Sequence, residues 1–283
     1  MSRPAVVRAW AALLLALLPG GTATAQVRIG TEATRDRALW HFENPSSYDT
    51  ATLVPHFFEQ DYVLDNLWLT LDARYRAGID WHTTVAATPI RQALATDYDT
   101  FFNPGGVVWV AGTTGDARMH SFRLSQALEL GQVGGVRLTG GYRLRIDLAD
   151  FLDGDRTDVR NGTLVSRTTV TTREYTNGQV HEVFVAAERD WALRRGWTLR
   201  LSGDVAPTAV NRLAIRLPDK YPGRTLVYRT TNATTSGRLE LTGGNARWPV
   251  TLSAGAMRSW NYSRSQWVRR HRLAAGISIG RSW

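Results

Sequence analysis

Apolar and polar residues alternate along this chain with a period of two, over runs of about 8 to 12 residues. A β-strand points successive side chains to opposite faces, so each run predicts a strand with one apolar and one polar face. In the clearest run, residues 136–148, Leu144 and Ile146 share one face while Arg143 and Arg145 share the other. Further alternating runs cover residues 67–73, 77–85, 122–130, 197–205, 248–256 and 273–283. The pattern predicts an all-β protein with many amphipathic strands.

The start of the chain has the layout of a secretory signal peptide. Two arginines fall within the first eight residues, a run of Ala and Leu covers residues 11–18, and small residues at positions 23–25 form a cleavage site. The apolar run is too short to cross a bilayer as a helix. We therefore predict a signal peptide at residues 1–25 and one exported domain at residues 26–283.

The composition narrows the class of exported protein. The chain has no cysteine, so neither disulfides nor thiol chemistry hold it together. It has 11 Trp, 9 Tyr and 8 Phe but no second long apolar stretch, which leaves a membrane β-barrel or a soluble exported β protein. The formal net charge of +9 favours anionic partners, and an exported chain meets lipid headgroups and lipopolysaccharide phosphates rather than nucleic acid. Arg264 and the run 269–272 are candidates for phosphate contacts, with solvated surface charge as the alternative.

The last strand and the spacing of the turns favour the barrel. Leu273, Ile277 and Ile279 share a face with the terminal Trp283, and a final amphipathic strand that ends in an aromatic residue is typical of outer-membrane barrels. A soluble sandwich strand that ends in Trp is the alternative. Short turns are predicted at 73–76, 131–135, 193–196 and 243–247, and long polar connections at 88–116, 150–178, 206–224 and 261–266.

These features predict a closed antiparallel transmembrane β-barrel of about ten strands, with long outer loops, short periplasmic turns and both termini on the periplasmic side. The first strand is expected within residues 36–58. Asn177-Gly178 predicts a type I′ hairpin that extends an outer loop, or an extra strand pair that raises the count to twelve. Alternation predicts that leucine and isoleucine face lipid while Arg143, Arg145 and Arg200 face a lumen that is plugged by cross-paired charges.

Residues 97–105 contain Asp97-Tyr98-Asp99 followed by Asn103-Pro104-Gly105. This arrangement resembles the omptins, which are ten-stranded outer-membrane endoproteases, and the resemblance extends diffusely over residues 67–283. It implies that Asp97 and Asp99 form one side of a catalytic site and that lipopolysaccharide is required for activity. It also implies an Asp-x-His pair in the fourth outer loop, whose imidazole takes a proton from the attacking water. Solvated turn aspartates are the alternative for Asp97 and Asp99.

The fourth-loop stretch departs from the omptin pattern. Asp219 is available there, but none of the chain's 6 histidines lies in that loop. An Asp-x-His does occur at Asp80 and His82, close to a short turn, where a lumen pair that stabilises the barrel is the better interpretation. We therefore name Asp97, Asp99 and Asp219 as candidate catalytic residues of an omptin-like endopeptidase whose activity is in doubt.

The alternative function is a non-catalytic barrel for adhesion, ligand binding or envelope structure, and a small channel is a third hypothesis. Under all three, we expect a monomer in the outer membrane of a Gram-negative bacterium. Its expected partners are membrane lipid and lipopolysaccharide, with a peptide substrate if it is an enzyme. We expect no cofactor, no metal and no nucleic-acid partner.

Overall fold

The wall of the molecule consists of β-strands joined by short turns. The computed structural model describes residues 25–43, 57–89, 92–102, 107–112, 118–160, 163–216, 218, 222–245, 248–264 and 266–282. Its strands are β1 (Ala25–Glu43), β2 (Phe57–Ala77), β3 (Ile79–Ala87), β4 (Gln92–Phe102), β5 (Val107–Gly112), β6 (Arg118–Val133), β7 (Val136–Arg160), β8 (Thr163–Ala192), β9 (Thr198–Arg216), β10 (Leu226–Asn245), β11 (Trp248–Asn261) and β12 (Gln266–Ser282). No helix in these ranges is long and apolar enough to cross a membrane.

The sheet closes on itself because β1 pairs with both β2 and β12. β3 and β4 follow one another along β2, so together they form a single interrupted wall strand. β5 and β6 form the next wall strand in the same way, against β7. The result is a closed antiparallel barrel of 10 wall strands, which confirms the predicted fold class.

One rim of the barrel carries the short turns, the start of β1 and the end of β12. The turn between β6 and β7 contains Gly134 and Gly135, whose φ angles of 56° and 78° suit a type I′ hairpin. The turn between β8 and β9 is a single 3-10 turn at Arg194–Gly196. The predicted short turns are confirmed, except that β2 continues past residues 73–76 and turns at Gly78.

The predicted position of the first strand is wrong. β1 lies at Ala25–Glu43 rather than within 36–58, and it pairs with its two neighbours along its whole length. The window does include the upper part of β1, but the lower part, residues 25–35, was missed. Val27 and Ile29 alternate there with Arg28, but Gly30 and Thr31 follow, so the alternating run is too short to mark a strand. Residues 1–24 lie outside the described part of the chain, and the signal peptide remains a prediction.

The predicted hairpin at Asn177-Gly178 is also wrong. Both residues lie inside β8, where Asn177 pairs with Leu148 of β7 and with Ala214 of β9. The chain reverses instead between Arg160 and Thr163, which pair with each other. Strands also occupy most of the stretches that were predicted as long polar connections. The wall therefore continues well beyond the band of outward-facing leucine and isoleucine side chains, which we call the apolar belt.

The two faces of the wall differ as predicted. On the outside, Leu201, Ile277 and Ile279 are 50%, 52% and 52% exposed, which is typical of side chains that face lipid. On the inside, Arg143, Arg145 and Arg200 all form ion pairs with carboxylates of the lumen. The predicted phase of the strands is therefore confirmed.

The lumen has two zones. Ion pairs line it from the short-turn rim to about the level of Asp36. Above them lies a group of buried apolar side chains that we call the upper apolar cluster. It consists of Ala38, Trp40, Leu213, Ile215, Leu226, Tyr228 and Val268, on β1, β9, β10 and β12.

Candidate functional site

Asp97 and Asp99 lie on β4, close to its connection with β5. Asp97 pairs in register with Tyr62, and Asp99 pairs with Gln60 and Ala111. Their side chains are outside the described part of the structure, as is the whole of Asp219. The assignment of these three aspartates as catalytic therefore stays a prediction.

The wall that the strand order places across the barrel from β4 is built by β9 and β10. At the upper ends of these strands the buried side chains include Leu213 and Ile215 on β9 and Leu226 and Tyr228 on β10. The omptin resemblance places an Asp-x-His pair in this region. The described positions there instead carry side chains of the upper apolar cluster, which provide no general base.

The histidines are located away from the upper lumen in the part of the chain that the structure describes. His82 faces the lower lumen, where its Nε2 lies 3.7 Å from Asp72. The other four described histidines are next to buried lumen residues in the sequence, so their side chains point outward. They are His41, His120, His181 and His271. His41 stacks on Trp267, and His181 forms a hydrogen bond with the Tyr142 hydroxyl. His56 is outside the described residues. A described imidazole therefore does not supply the missing base.

The Asp-x-His sequence at Asp80 and His82 does not act as one pair. Asp80 forms an exposed ion pair with Arg76 at the short-turn rim, at 3.4 Å. His82 instead approaches Asp72, whose carboxylate also accepts a hydrogen bond from Thr84 at 2.6 Å. The prediction of a structural histidine pair low in the lumen is confirmed for His82, with Asp72 in place of Asp80.

Two buried carboxylates of β1 organise the middle of the lumen. Glu32 and Asp36 are 4% and 5% exposed, and each accepts hydrogen bonds from two arginines of other strands. The N–O distances are 2.6–3.1 Å, and the arginine partners are Arg123 and Arg238 for Glu32, and Arg145 and Arg272 for Asp36. Arg123 also stacks over Trp68, with its Cζ 3.9 Å from the ring centroid. These contacts connect β1 to its wall neighbour β12 and, across the lumen, to β6, β7 and β10.

Further ion pairs continue this network to the short-turn rim. They are Arg28–Glu240, Arg74–Glu188, Arg137–Glu129, Arg137–Glu188, Arg143–Glu182, Arg143–Asp204, Arg200–Asp190 and Arg238–Glu240. The predicted cross-pairing of the lumen charges is confirmed. Pairs of this kind occupy the space that an aqueous pore needs.

Sequence reasoning did not identify Glu32, Asp36 or Glu240 as lumen residues. Glu240 had a usable signal, because Leu239 and Leu241 flank it in alternation. Asp36 had no such signal, because its neighbours Arg35 and Arg37 are charged as well and the apolar-polar alternation is lost there.

The outer wall carries arginines above the apolar belt. Arg212 and Arg229 are directly opposite one another on β9 and β10, and within the described residues neither has an ion-pair partner. The predicted phosphate-contact run 269–272 is split by the strand: His271 is exposed, whereas Arg270 and Arg272 face the lumen. A run of four consecutive residues in a strand cannot face one side.

The fold and the lumen define a class of protein: an outer-membrane type of β-barrel with a polar lumen plugged by its own side chains. No protein-family model matches the chain, and no curated protein sequence matches it. Among solved structures, the chain is similar to the outer membrane protease OmpT from Escherichia coli, with 9% identity and a TM-score of 0.64 over 92% of this chain and 96% of that one. At this identity the likeness shows the fold alone.

A second structural match has less weight. The translocator domain of the autotransporter NalP from Neisseria meningitidis is 10% identical, with a TM-score of 0.39 over 98% of this chain and 94% of that one. A score this low carries no argument about function. The omptin resemblance in the sequence thus agrees with the OmpT-like barrel at the level of architecture.

Proposed function

We propose that this protein is a monomeric outer-membrane barrel of omptin fold that does not hydrolyse peptides and serves instead as a closed envelope barrel for ligand binding or adhesion. The observation that carries this proposal is the apolar packing at the upper ends of β9 and β10, where peptide hydrolysis needs a general base. The absence of histidine from the fourth-loop sequence supports it.

Membrane lipid and lipopolysaccharide are the proposed partners of the outer wall. Arg212 and Arg229 present two adjacent guanidinium groups above the apolar belt, and opposed like charges on a sheet repel unless an anion lies between them. Phosphate groups accept bidentate hydrogen bonds from arginine. A lipopolysaccharide phosphate therefore fits this position.

A peptidase assay tests the proposal. The barrel is refolded with lipopolysaccharide, since the omptin resemblance implies that requirement, and is incubated with a dibasic peptide beside an active omptin. We expect no cleavage above the rate of a sample to which no barrel is added. Robust cleavage that is lost in Asp97→Ala would overturn the proposal, because it would show that a base reaches Asp97 and Asp99 from elsewhere.

Omptin-type endopeptidase activity is the second candidate function. It is favoured by the OmpT-like fold and by the position of Asp97 and Asp99 at adjacent same-parity sites of β4. In this case Asp97→Ala and Asp99→Ala each abolish cleavage, while Asp65→Ala, an exposed carboxylate of the outer wall, leaves the rate unchanged. Cleavage that survives the loss of both loop aspartates together would exclude this mechanism.

A further inference from the structure

A cavity of about 300 Å³ lies along the lumen. Its upper end is lined by Arg270 and Asn211, which lie directly below Val268 and Leu213 of the upper apolar cluster. Its lower end shares lining residues with an open depression at the rim, namely Arg74, His82, Glu188 and Arg200. Along the strands that carry the upper apolar cluster, the cavity is therefore closed towards the outer end of the barrel. We call this closed end the blind end.

Arg270 lies at the blind end of the cavity and is a buried cation. It is 6% exposed, and in the described part of the chain its guanidinium forms no ion pair. Its Nε atom is buried and donates no hydrogen bond, and its Cζ lies 5.7 Å from the ring centroid of Trp40. Arg272, two positions along the same strand, has Asp36 at 2.6 Å. A buried charge without a partner is costly, so this position favours a bound anion.

Asn211 adds a free acceptor to the same end of the cavity. The residue is 0% exposed, and its amide nitrogen donates to Asn232 Oδ1 at 2.5 Å. Its Oδ1 atom is buried and accepts no hydrogen bond. A hydroxyl group on the ligand would satisfy this oxygen, since a hydroxyl can donate where an oxyanion cannot.

Arg270 also differs from the other arginines of the cavity. The lining includes nine arginines, and each of them except Arg270 forms an ion pair with a carboxylate in the described part of the chain. The volume suits a small solute rather than a peptide or a lipid chain.

We propose that the blind end of the lumen cavity binds a small hydroxylated oxyanion, which enters from the short-turn side. Arg270 binds its anionic group, and Asn211 Oδ1 accepts a hydrogen bond from its hydroxyl group. This site is separate from the outer wall and from the aspartates of β4. The binding proposal and the proposed function can therefore be tested, and can fail, separately.

Calorimetric titration of the refolded barrel in detergent tests the site, with glycerol 3-phosphate, inorganic phosphate and glycerol as probes in a buffer free of other oxyanions. We expect saturable binding of glycerol 3-phosphate, weaker binding of phosphate, and none of glycerol. Arg270→Gln should weaken binding at least about tenfold. Arg269→Gln, the exposed neighbour that stacks on Trp267, and the double variant Arg212→Gln with Arg229→Gln should bind like wild type.

Thermal unfolding in the same oxyanion-free buffer supplies a second measurement. Arg270→Gln removes an uncompensated charge, so it should unfold at or above the wild-type temperature, whereas Arg272→Gln breaks an ion pair with Asp36 and should unfold at a lower one. The proposal is overturned if wild type shows no saturable binding, if Arg270→Gln binds equally well, or if Arg270→Gln unfolds as readily as Arg272→Gln. None of these readouts depends on peptide hydrolysis.

Discussion

Single charged residues determine how the lumen is filled. Asp36 accepts hydrogen bonds from Arg145, Arg272 and the hydroxyl of Thr34, and this carboxylate is almost fully buried. Burial of such a cluster costs desolvation that its Coulomb attraction only partly offsets, so its net stabilisation is modest. Loss of one member is different, because it leaves a buried charge such as Arg272 without its partner. The lumen is therefore sensitive to single substitutions that the outer wall tolerates.

Asp36→Asn should destabilise the barrel by about 3–5 kcal/mol, because it leaves Arg272 buried without a carboxylate partner and leaves Arg145 with Asp147 alone. Asp65→Asn is the matched control: its ion pair with Arg35 lies on the exposed outer wall, with N–O 3.6 Å apart, and should be worth about 0–1 kcal/mol. Urea unfolding followed by tryptophan fluorescence measures both. Equal losses in the two variants would contradict a role for burial.

At the scale of strands, the sequence predicts what lies within the apolar belt and little above it. Arg143 and Arg145 alternate with Leu144 and Ile146, so both their strand and its phase are visible in the sequence. Above the belt the outer wall faces water and the lumen is polar, so alternation disappears. The long extensions of β7 and β8 were missed for this reason.

The turn prediction at Asn177-Gly178 failed because a local preference was outweighed by pairing on both sides. Gly178 pairs with Asp147 and Leu213, and it is absent from the positive-φ glycines of the described residues.

The candidate site was only partly predictable from the sequence. The lack of a fourth-loop histidine is plain in the sequence, whereas the apolar packing of β9 against β1 and β12 depends on closure of the barrel.

Gly178→Ala distinguishes a strand from a turn. An added Cβ would meet the Cβ and the backbone oxygen of Asp147 at 3.7 and 3.8 Å, which are ordinary contact distances, so the variant should be neutral or more stable by about 0.5–1 kcal/mol. In Gly243→Ala the added Cβ would overlap the ring of Trp197, which covers this glycine, and overpacking should cost about 1–3 kcal/mol. Urea unfolding of both refolded variants is the measurement. A large loss of stability in Gly178→Ala would instead support a turn at this position.

On the scale of the whole molecule, the two ends of the lumen have different chemistry. The short-turn end holds half-exposed ion pairs such as Arg137–Glu129, and the outer end holds the upper apolar cluster. A ten-stranded barrel filled in this way has no continuous column of water in its described part. The channel hypothesis is therefore the least compatible with the structure.

Planar-bilayer recordings should show no steady conductance after insertion of the refolded barrel, because ion pairs narrow the lumen and the upper apolar cluster closes it towards the outer end. A porin inserted under the same conditions is the positive control, and heat-modifiable migration on gels verifies that the sample is folded. Stable ohmic steps from wild-type protein would show that the network opens in a bilayer.

The pairing of β1 with β12 has a consequence for how the molecule is made. Gln26 lies opposite Ser282, so the seam joins the two ends of the sequence, and its contacts are the most distant along the chain. Such contacts form slowly, because loop-closure entropy is lost before they are gained. Until the last strand has arrived, both β1 and the growing sheet present open edges that invite pairing with other chains. An intermediate of this kind needs protection by folding helpers or by a membrane surface.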